Sequence, residues 1–327
     1  RIRRLLKRKS KSFIMSKFAI TGYCCLLMLV TSTVQADKKN PNNDLRFDGA
    51  QAKTFKVTEE GSLKLHIFEP EVRTEEPRPV IVFFYGGAWK AGSPKQFEEH
   101  CHYLASRGMV AITADYRVSS RQGTKADASV ADAKSAIRWV RENYKTLHID
   151  EDRVVAAGGS AGGHLAACTA IIDGFESDQQ NLVISSKPNA MVLFNPAVTL
   201  APFNSQQPLP KEKLEQDGGL EFRMGTKPIN LSPGHHVVSD LPPTIMFFGT
   251  EDFLLDGSKY FHQQMLKAGN RCDLELYDGQ SHGFFNYGKS ENKYFIETLQ
   301  ATDDFLQSIG YLDGFGNVAA WHADRQR

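Results

Sequence analysis

The chain has 327 residues, of which 41% are hydrophobic, and its 39 lysine and arginine side chains nearly balance its 38 aspartate and glutamate side chains. A chain of this length and apolar content can bury a large core, either as one α/β domain or as two smaller ones. The near-neutral balance gives no indication of a nucleic-acid partner or of an acidic ligand.

The first 36 residues have the composition of a secretory signal peptide. The basic stretch RIRRLLKRKSKS precedes the one long apolar run, FAITGYCCLLMLVTSTVQA, which ends in the small-x-small pair Val34 and Ala36. This order predicts export, cleavage after Ala36, and a secreted or periplasmic mature chain without stable membrane insertion. Met15 is an alternative start, in which case residues 1–14 are not translated. An uncleaved membrane anchor is the competing interpretation, which the short apolar run disfavours.

Two short segments follow the predicted cleavage. Residues 37–50 are polar and rich in turn-forming side chains, so we predict a flexible leader. Residues 53–70 alternate apolar and polar side chains on both sides of Glu59-Glu60-Gly61. This alternation around a turn is typical of a β-hairpin.

From residue 78 onward, predicted strands and helices alternate. Strands are predicted within residues 78–89, 109–118, 152–159, 190–198, 242–250 and 271–279, and helices within 95–108, 127–147, 161–172, 256–269 and 291–310. Continuous apolar runs such as RPVIVFF are typical of strands buried on both faces. The alternation therefore predicts the α/β class, with a mostly parallel, doubly wound sheet and helices on both faces.

Residues 200–241 break this alternation. They hold many proline, glycine, glutamine and charged residues without a clear period. A connection of this length inside a compact domain is usually functional, so we interpret it as a lid insertion. The main domain is then expected to span 51–310, and 311–327 to be a short, loosely held tail.

Three cysteines remain after the predicted cleavage, Cys101, Cys168 and Cys272. They are too few for a disulfide framework, although one bridge is possible. Cys168 lies among small residues in a predicted helix and is expected to be a core residue. His100 and His102 flank Cys101 with a spacing that resembles metal ligands, but residues two apart on a helix point in different directions. We therefore predict a surface helix there and no metal site.

The stretch VVAAGGSAGGHLAACTA contains the strongest chemical signal. Ser160 lies between two glycine pairs, and Gly158, Ser160 and Gly162 satisfy the pattern G-x-S-x-G. The pattern follows a predicted strand and begins a predicted helix, which is the context of a nucleophile on a strained turn. The helix N-terminus then directs its free N–H groups at the reacting oxygen. A tight structural turn is the alternative.

A serine hydroxyl needs a neighbouring base to act as a nucleophile. On a sheet of this kind the expected chain order is serine, acid, histidine. Among the downstream histidines, His262 falls within a helix, and His235 and His236 lie in the irregular segment. His282 follows a predicted strand and is the preferred base.

The acid is chosen from four carboxylates that lie after predicted strands, Glu251, Asp252, Asp256 and Asp278. We favour Asp252, because a position just beyond FFGT is expected to reach the imidazole. Asp256 is better placed to begin the next helix, where a carboxylate interacts favourably with the positive end of the helix dipole.

A cradle for the oxyanion is predicted after the strand that contains Val80. Gly86 and Gly87 follow that strand directly, where the second oxyanion donor is expected. The predicted oxyanion hole consists of Gly86, Gly87, Ala88 and Ala161. Trp89 either lines the substrate pocket or closes the core, and we favour the pocket.

The stretches YGGAW, DYRV, GGSAGGHLAA, GTEDFLLDG and SHGFF together resemble the α/β-hydrolases, in the branch of hormone-sensitive-lipase-like and acetyl-xylan or feruloyl esterase-like enzymes. The resemblance extends from about Lys53 to Gly310. It implies the α/β-hydrolase fold, but few residues precede the first predicted strand, so we expect the large N-terminal cap of the lipase-like branch to be small or absent. It also implies a serine carboxylesterase that uses Ser160, Asp252 and His282 and needs no metal or organic cofactor.

One position departs from that branch. The usual motif is His-Gly-Gly, whereas this chain has Tyr85 before Gly86 and Gly87. We therefore expect Tyr85 to contribute to substrate binding and to change the substrate preference.

The sequence predicts a secreted serine esterase for short-chain carboxylic esters, including deacetylation of an extracellular carbohydrate. Its partner is then a small-molecule or carbohydrate ester and no nucleic acid. Two alternatives remain, a peptidase of the prolyl-oligopeptidase type and a non-catalytic binding scaffold.

Overall fold

The computed structural model describes residues 40–72, 74–178 and 180–327. In that part of the chain, one sheet has eight strands in the order β1-β2-β4-β3-β5-β6-β7-β8. The strands are β1 (Ala50–Thr58), β2 (Gly61–Phe68), β3 (Arg78–Phe84), β4 (Val110–Ala114), β5 (Ile149–Gly159), β6 (Ala190–Phe194), β7 (Thr244–Gly249) and β8 (Cys272–Tyr277). The predicted signal peptide, its cleavage site and the alternative start at Met15 lie outside the described residues.

The first two strands form the predicted hairpin. β1 pairs antiparallel with β2, and β2 pairs antiparallel with β4. The pairings among β3 to β8 are parallel. The predicted mostly parallel, doubly wound sheet with an N-terminal antiparallel hairpin is confirmed.

Helices cover both faces of the sheet. They are α1 (Glu98–Ser106), α2 (Ser119–Gln122), α3 (Ala126–Glu142), α4 (Tyr144–Leu147), α5 (Ala161–Ile171), α6 (Lys211–Glu215), α7 (Leu220–Met224), α8 (Leu255–Lys267), α9 (Lys293–Ser308) and α10 (Val318–Arg325). Among the described residues, no helix combines the length and hydropathy that are needed to cross a bilayer.

Strand β3 illustrates why the central strands are apolar throughout. Val80 and Val82 belong to the core that includes α3, α5 and α8, whereas Ile81 and Phe83 belong to the core on the other face, with α1 and α9. Successive side chains of a strand point to opposite faces, so both faces must be apolar when both are covered. Full burial of each such side chain contributes about 1.5–3 kcal/mol.

The parallel strands bring their carboxyl ends to one edge of the sheet. The residues that follow these strands are Gly86 after β3, Ser160 after β5, Asn195 after β6, Asp252 after β7 and His282 after β8. Open α/β sheets bind their ligands at this edge. The topology therefore collects polar side chains that lie far apart in the sequence.

The prediction of a flexible leader is wrong for its described part. The side-chain amides of Asn40 and Asn42 donate to the two carboxylate oxygens of Asp115, at 2.7 and 2.8 Å. Phe47 is buried against the rings of His66 and Phe68. The polar composition concealed this docking because its partners lie elsewhere in the chain.

The prediction of a loosely held tail is also wrong. Residues Val318–Arg325 form α10, which packs against α9, and Val318 is fully buried. The ring of Trp321 contacts the edge of Tyr103 at a centroid distance of 5.3 Å. The Asn317 side chain caps the helix by accepting a hydrogen bond from Ala320 N–H. A single buried residue and a capped two-turn helix give too weak a periodic pattern to detect.

The surface-helix interpretation of His100 to His102 is corrected. His100 and Cys101 are fully buried under the sheet, and only His102 is partly exposed. Cys101, Cys168 and Cys272 are all buried free thiols, so the core position predicted for Cys168 is confirmed. Among the described residues, no group of histidine, cysteine and carboxylate side chains has the arrangement of a metal site.

The irregular segment 200–241 contains the short helices α6 and α7 and several 3-10 turns. Leu200, Leu209, Lys213 and Arg223 from this segment line the cavity described below. The segment is therefore a small cap in position, and its movement as a lid stays a prediction.

Candidate active site

Ser160 occupies a sharp turn between β5 and α5. Its backbone has φ +53° and ψ −118°, a strained conformation for a residue with a side chain. A β-carbon at Gly162 would come within 1.9 Å of Phe84 O, and one at Gly158 within 2.5 Å of the same oxygen. The turn therefore passes too close to the end of β3 to tolerate any residue but glycine on either side of the serine.

Backbone hydrogen bonds hold this strained turn in place. Ser160 N–H donates to Phe194 O at 2.9 Å, and Ser160 O accepts from His164 N–H at 3.0 Å and from Ala197 N–H at 3.3 Å. These contacts fix the serine between β6 and the first turn of α5. Strain of this kind persists only where the surroundings over-determine it.

The structure brings Ser160, His282 and Asp252 into one hydrogen-bonded chain. His282 Nε2 lies 2.8 Å from Ser160 Oγ, and His282 Nδ1 lies 2.8 Å from Asp252 Oδ2. An ionised carboxylate can only accept, so Nδ1–H donates to Asp252 and Nε2 accepts from the serine hydroxyl. The Asp252 side chain is fully buried, whereas that of His282 is 27% exposed and faces the cavity.

Asp252 is held rigidly for this contact. Its other oxygen, Oδ1, accepts from Leu254 N–H at 2.9 Å. The competing carboxylates lie elsewhere, since Glu251 and Asp256 are exposed and Asp278 accepts from Thr250 Oγ1. Among the four candidates, Asp252 is the one that the structure places against His282.

The other downstream histidines do not approach Ser160. His235 bonds to Ser232 and His236 to Ile229 O, both within the cap segment, and His262 lies on α8.

The predicted oxyanion residues border the serine, with one correction. Gly86, Gly87, Ala88 and Ala161 all line the cavity. The N–H of Gly86, however, donates to the Gln96 side-chain oxygen at 2.6 Å, so it is not a free donor to a substrate. The N–H groups of Gly87, Ala88 and Ala161 make no hydrogen bond to a described residue. Ala161 also begins α5, whose dipole favours negative charge at this end.

Tyr85 does not line the cavity, so the prediction of a substrate contact is wrong. Its side chain is fully buried beneath the loop, where the hydroxyl donates to Asp115 at 2.7 Å and accepts from Arg121 at 2.5 Å. Burial raises the pKa of Tyr85 well above its usual value. The ring stacks on Tyr116 at 4.2 Å, so Tyr85 supports the loop from below.

Trp89 lines the cavity as predicted, and a buried histidine holds it. Trp89 Nε1–H donates to His164 Nδ1 at 3.1 Å, and His164 Nε2–H donates to Leu231 O at 2.7 Å. Burial lowers the pKa of His164 to about 4, which keeps the ring neutral and able to accept from Trp89. His164 thus joins the oxyanion loop to the cap segment, a role that no sequence pattern indicated.

Asn195 is the second residue that sequence reasoning missed. It is buried at the end of β6 with φ +37°, and its side-chain oxygen accepts from Gly283 N–H at 3.0 Å. This contact fixes the loop that carries His282. Its polar side chain within the otherwise apolar strand predicted at 190–198 was the only available signal.

The cavity beside Ser160 has a volume of about 420 Å³. Its apolar walls come from Trp89, Ala197, Leu200, Leu209, Phe253, Leu254 and Phe285. A larger depression of about 820 Å³ lies at the opposite edge of the sheet, and none of Ser160, Asp252 and His282 lines it. The chemistry therefore belongs to the smaller cavity.

A match to a known protein family shows the family of this chain. The family described as BD-FAE matches residues 65–265, well over half of the chain. The chain belongs to the BD-FAE family. The expected resemblance to α/β-hydrolase esterases is thereby confirmed.

Relatives of this family member are esterases. A probable isoprenylcysteine alpha-carbonyl methylesterase of Arabidopsis thaliana is 29% identical over 231 residues, which cover 67% of this chain and 48% of that protein. Carboxylesterase NlhH of Mycobacterium tuberculosis is 25% identical over 245 residues, which cover 69% of this chain and 72% of that protein. The chain thus spans about half the length of its plant relatives.

Solved structures give the same result. The apo form of Thermogutta terrifontis esterase 2 has a TM-score of 0.75 and 45% identity, over 83% of this chain and 98% of that one. The same esterase phosphonylated by sarin has a TM-score of 0.79 and 44% identity, again over 83% and 98%. These matches confirm the α/β-hydrolase fold and place the chain among the carboxylic ester hydrolases.

Proposed function

We propose that this chain hydrolyses short-chain carboxylic esters through an acyl-enzyme on Ser160. The observation that carries the proposal is the unbroken hydrogen-bonded chain from Ser160 through His282 to Asp252, beside an open cavity. Such a chain converts a weak hydroxyl nucleophile into a reactive one.

In the first half-reaction, Ser160 Oγ attacks the ester carbonyl carbon while His282 Nε2 takes the hydroxyl proton. The carbonyl electron pair moves to its oxygen, which faces the N–H groups of Gly87, Ala88 and Ala161. Each such donor stabilises the transition state by about 3 kcal/mol. Collapse of the intermediate breaks the bond to the alkoxide, which leaves with the proton from His282.

In the second half-reaction, water replaces the alcohol. His282 takes a proton from the water while the water oxygen attacks the acyl carbon. The carboxylic acid leaves, and Ser160 regains its proton. Asp252 orients the imidazole and stabilises its charged form throughout.

The size of the cavity favours a short acyl chain in the substrate. The cavity volume is at the lower end of the range for small-molecule sites, and residues of the cap segment form part of the cavity wall. Structures of the similar Thermogutta terrifontis esterase 2 hold propionate and butyrate. Deacetylation of a carbohydrate is compatible with this size.

The first test uses p-nitrophenyl esters from acetate to laurate, an acetylated xylan, and a prolyl peptide p-nitroanilide. We expect hydrolysis of the acetate to butyrate esters, with kcat/KM falling for longer chains. Ser160→Ala should lower kcat by about 10³-fold or more. Cleavage of the anilide alone would favour a peptidase, and no activity from a folded chain would favour a binding scaffold.

We also propose that the chain is exported. The basic stretch followed by a short apolar run and a small-residue ending supports this proposal. N-terminal sequencing of the chain recovered outside a bacterial host's cytoplasm tests it, with the new terminus expected directly after Ala36. Recovery of the chain only in the membrane fraction, with an uncleaved terminus, would contradict it.

A further inference from the structure

Three cationic side chains line the cavity, and we name them the cationic rim. They are Lys213 and Arg223 from the cap segment and Lys289 from the loop after His282. No aspartate or glutamate is among the described residues that line this cavity. Nor does any rim residue form an ion pair with a described carboxylate. The side chains that line the cavity beside Ser160 thus carry a net positive charge, although the whole chain is near neutral.

Of the carboxylates near the rim in sequence, Glu212, Glu221 and Glu291 are exposed and do not line the cavity, and two others are engaged in ion pairs. Asp217 pairs with Lys90 at 2.9 Å, and Glu215 pairs with Lys211 at 3.8 Å. Both pairs are exposed and therefore weak. They nevertheless add no net negative charge to offset the rim.

Arg223 has unused hydrogen-bonding capacity. Its Nη2 donates to Lys213 O at 2.5 Å, but its Nε–H is buried and has no partner among the described residues. Burial lowers the pKa of this guanidinium, because the charged form is partly desolvated. A buried donor without an acceptor costs about 1–3 kcal/mol.

Two of the rim residues, Lys289 and Lys213, lie near His282. A β-carbon at Gly283, the residue next to His282, would lie 3.3 Å from Lys289 Nζ. Lys213 Nζ is 5.5 Å from the ring centre of Phe253, and that ring is 4.8 Å from the His282 ring. Both lysines therefore lie on the side of the cavity where the base is.

In the proposed mechanism, His282 delivers its proton to the departing alcohol oxygen, so the alcohol half of the ester must lie on this side. From this geometry we propose that the enzyme selects esters whose alcohol half carries an anionic group, such as a carboxylate or a phosphate. The inference rests on the proposed esterase function and specifies its substrate class. The anion takes no part in bond breaking, and it positions the ester by its contact with the rim.

A matched pair of acetate esters tests the proposal. para-Acetoxybenzoate carries a carboxylate on the alcohol half, and its methyl ester is neutral. para-Acetoxyphenyl phosphate replaces the carboxylate with a phosphate. Each kcat/KM is divided by the rate constant for alkaline hydrolysis of the same ester, which removes differences in intrinsic reactivity.

We expect the parent chain to favour the anionic ester by about tenfold at low ionic strength, and the preference to fall in 0.5 M salt, because exposed charges are screened. Arg223→Gln should lower the anionic-to-neutral ratio by about fivefold. Lys289→Gln, on a different loop, should lower it by about threefold. The control Lys267→Gln, at the exposed end of α8, should leave the ratio unchanged.

Hydrolysis of both esters without a preference for the anionic one would overturn this inference and leave the esterase proposal standing. A preference that survives both rim substitutions would overturn it too. If the parent hydrolyses neither ester, nor p-nitrophenyl acetate, the proposed function itself fails. The phosphate arm then distinguishes a general anion site from a carboxylate site in the successful case.

Discussion

His100 lies in a pocket of aromatic rings where neither of its ring nitrogens has a hydrogen-bond partner among the described residues. Phe97 and Phe295 each lie 4.9 Å from it between ring centres, and Phe194 lies 5.4 Å away. Full burial lowers the pKa of His100 to about 3, because the charged ring cannot be solvated there. Between about pH 3 and pH 6.5, the unfolded state therefore binds a proton at His100 that the native state does not bind.

This difference predicts a loss of stability in acid. Above pH 6.5 neither state holds the proton and the stability is complete. As the pH falls from 6.5 towards 3, unfolding takes up a proton at His100, which costs about 1.4 kcal/mol of stability per pH unit. In urea unfolding at pH 7 and pH 5, His100→Leu should reduce the stability difference by about 2 kcal/mol. The control is the partly exposed His262→Gln. If His100→Leu leaves the difference in stability between pH 7 and pH 5 as large as the control does, this explanation is wrong.

Some residues of the site could be predicted from the sequence, and others could not. Ser160 and His282 could be identified because their neighbours, the glycines and the strand ends, are local. Tyr85, Asn195 and His164 could not be assigned correctly, because their partners Asp115, Gly283 and Leu231 are distant in sequence. The charge of the cationic rim was hidden for the same reason, since a sum over the chain says nothing about where charges gather.

Helix α5 connects the parts of the site. All of its residues are buried, so its sequence is apolar on every side and has no amphipathic period. His164 is the one basic side chain on it, and it contacts the oxyanion loop through Trp89 and the cap segment through Leu231. Ala88 and Trp89 both have positive φ, at 54° and 58°, so that loop depends on such outside support.

We expect His164→Gln to weaken this support. The glutamine amide can still donate to Leu231 O, but it provides no acceptor at the position of Nδ1, so Trp89 Nε1–H loses its partner. The free energy of unfolding should fall by about 1–3 kcal/mol, and kcat for p-nitrophenyl acetate by about tenfold with a smaller change in KM. The comparison variant Trp89→Phe removes the donor instead. A folded His164→Gln chain with full kcat would show that the loop does not need this contact.

Strands and helices with a clear pattern of apolar residues could be predicted from the sequence. The leader and the tail, which pack against the domain through distant residues, could not. The hairpin and the buried strands follow from alternation and from continuous apolar runs, which depend only on neighbouring residues. The leader was predicted to be free because asparagine is typical of turns, yet Asn42 donates to Asp115 at the end of β4. The tail was predicted to be loose because α10 is short, yet Val318 fills a gap in the core beside α9.

The whole molecule places its chemistry at one edge of one sheet. Parallel strands deliver Ser160, Asp252 and His282 to that edge from positions up to 122 residues apart. The cap segment 200–241 forms part of the cavity wall and supplies two of the three rim cations. From this geometry we propose that Ser160 is the nucleophile.

A serine-directed phosphorylating reagent, diisopropyl fluorophosphate, tests that claim most directly. The purified chain is treated with the reagent, and the modified residue is found by intact mass and peptide mapping. We expect one phosphoryl group per chain, on Ser160, none on Ser160→Ala, and labelling of His282→Gln slowed by about 10³-fold. A folded parent chain that stays unlabelled, or that is labelled at another residue, would contradict that claim.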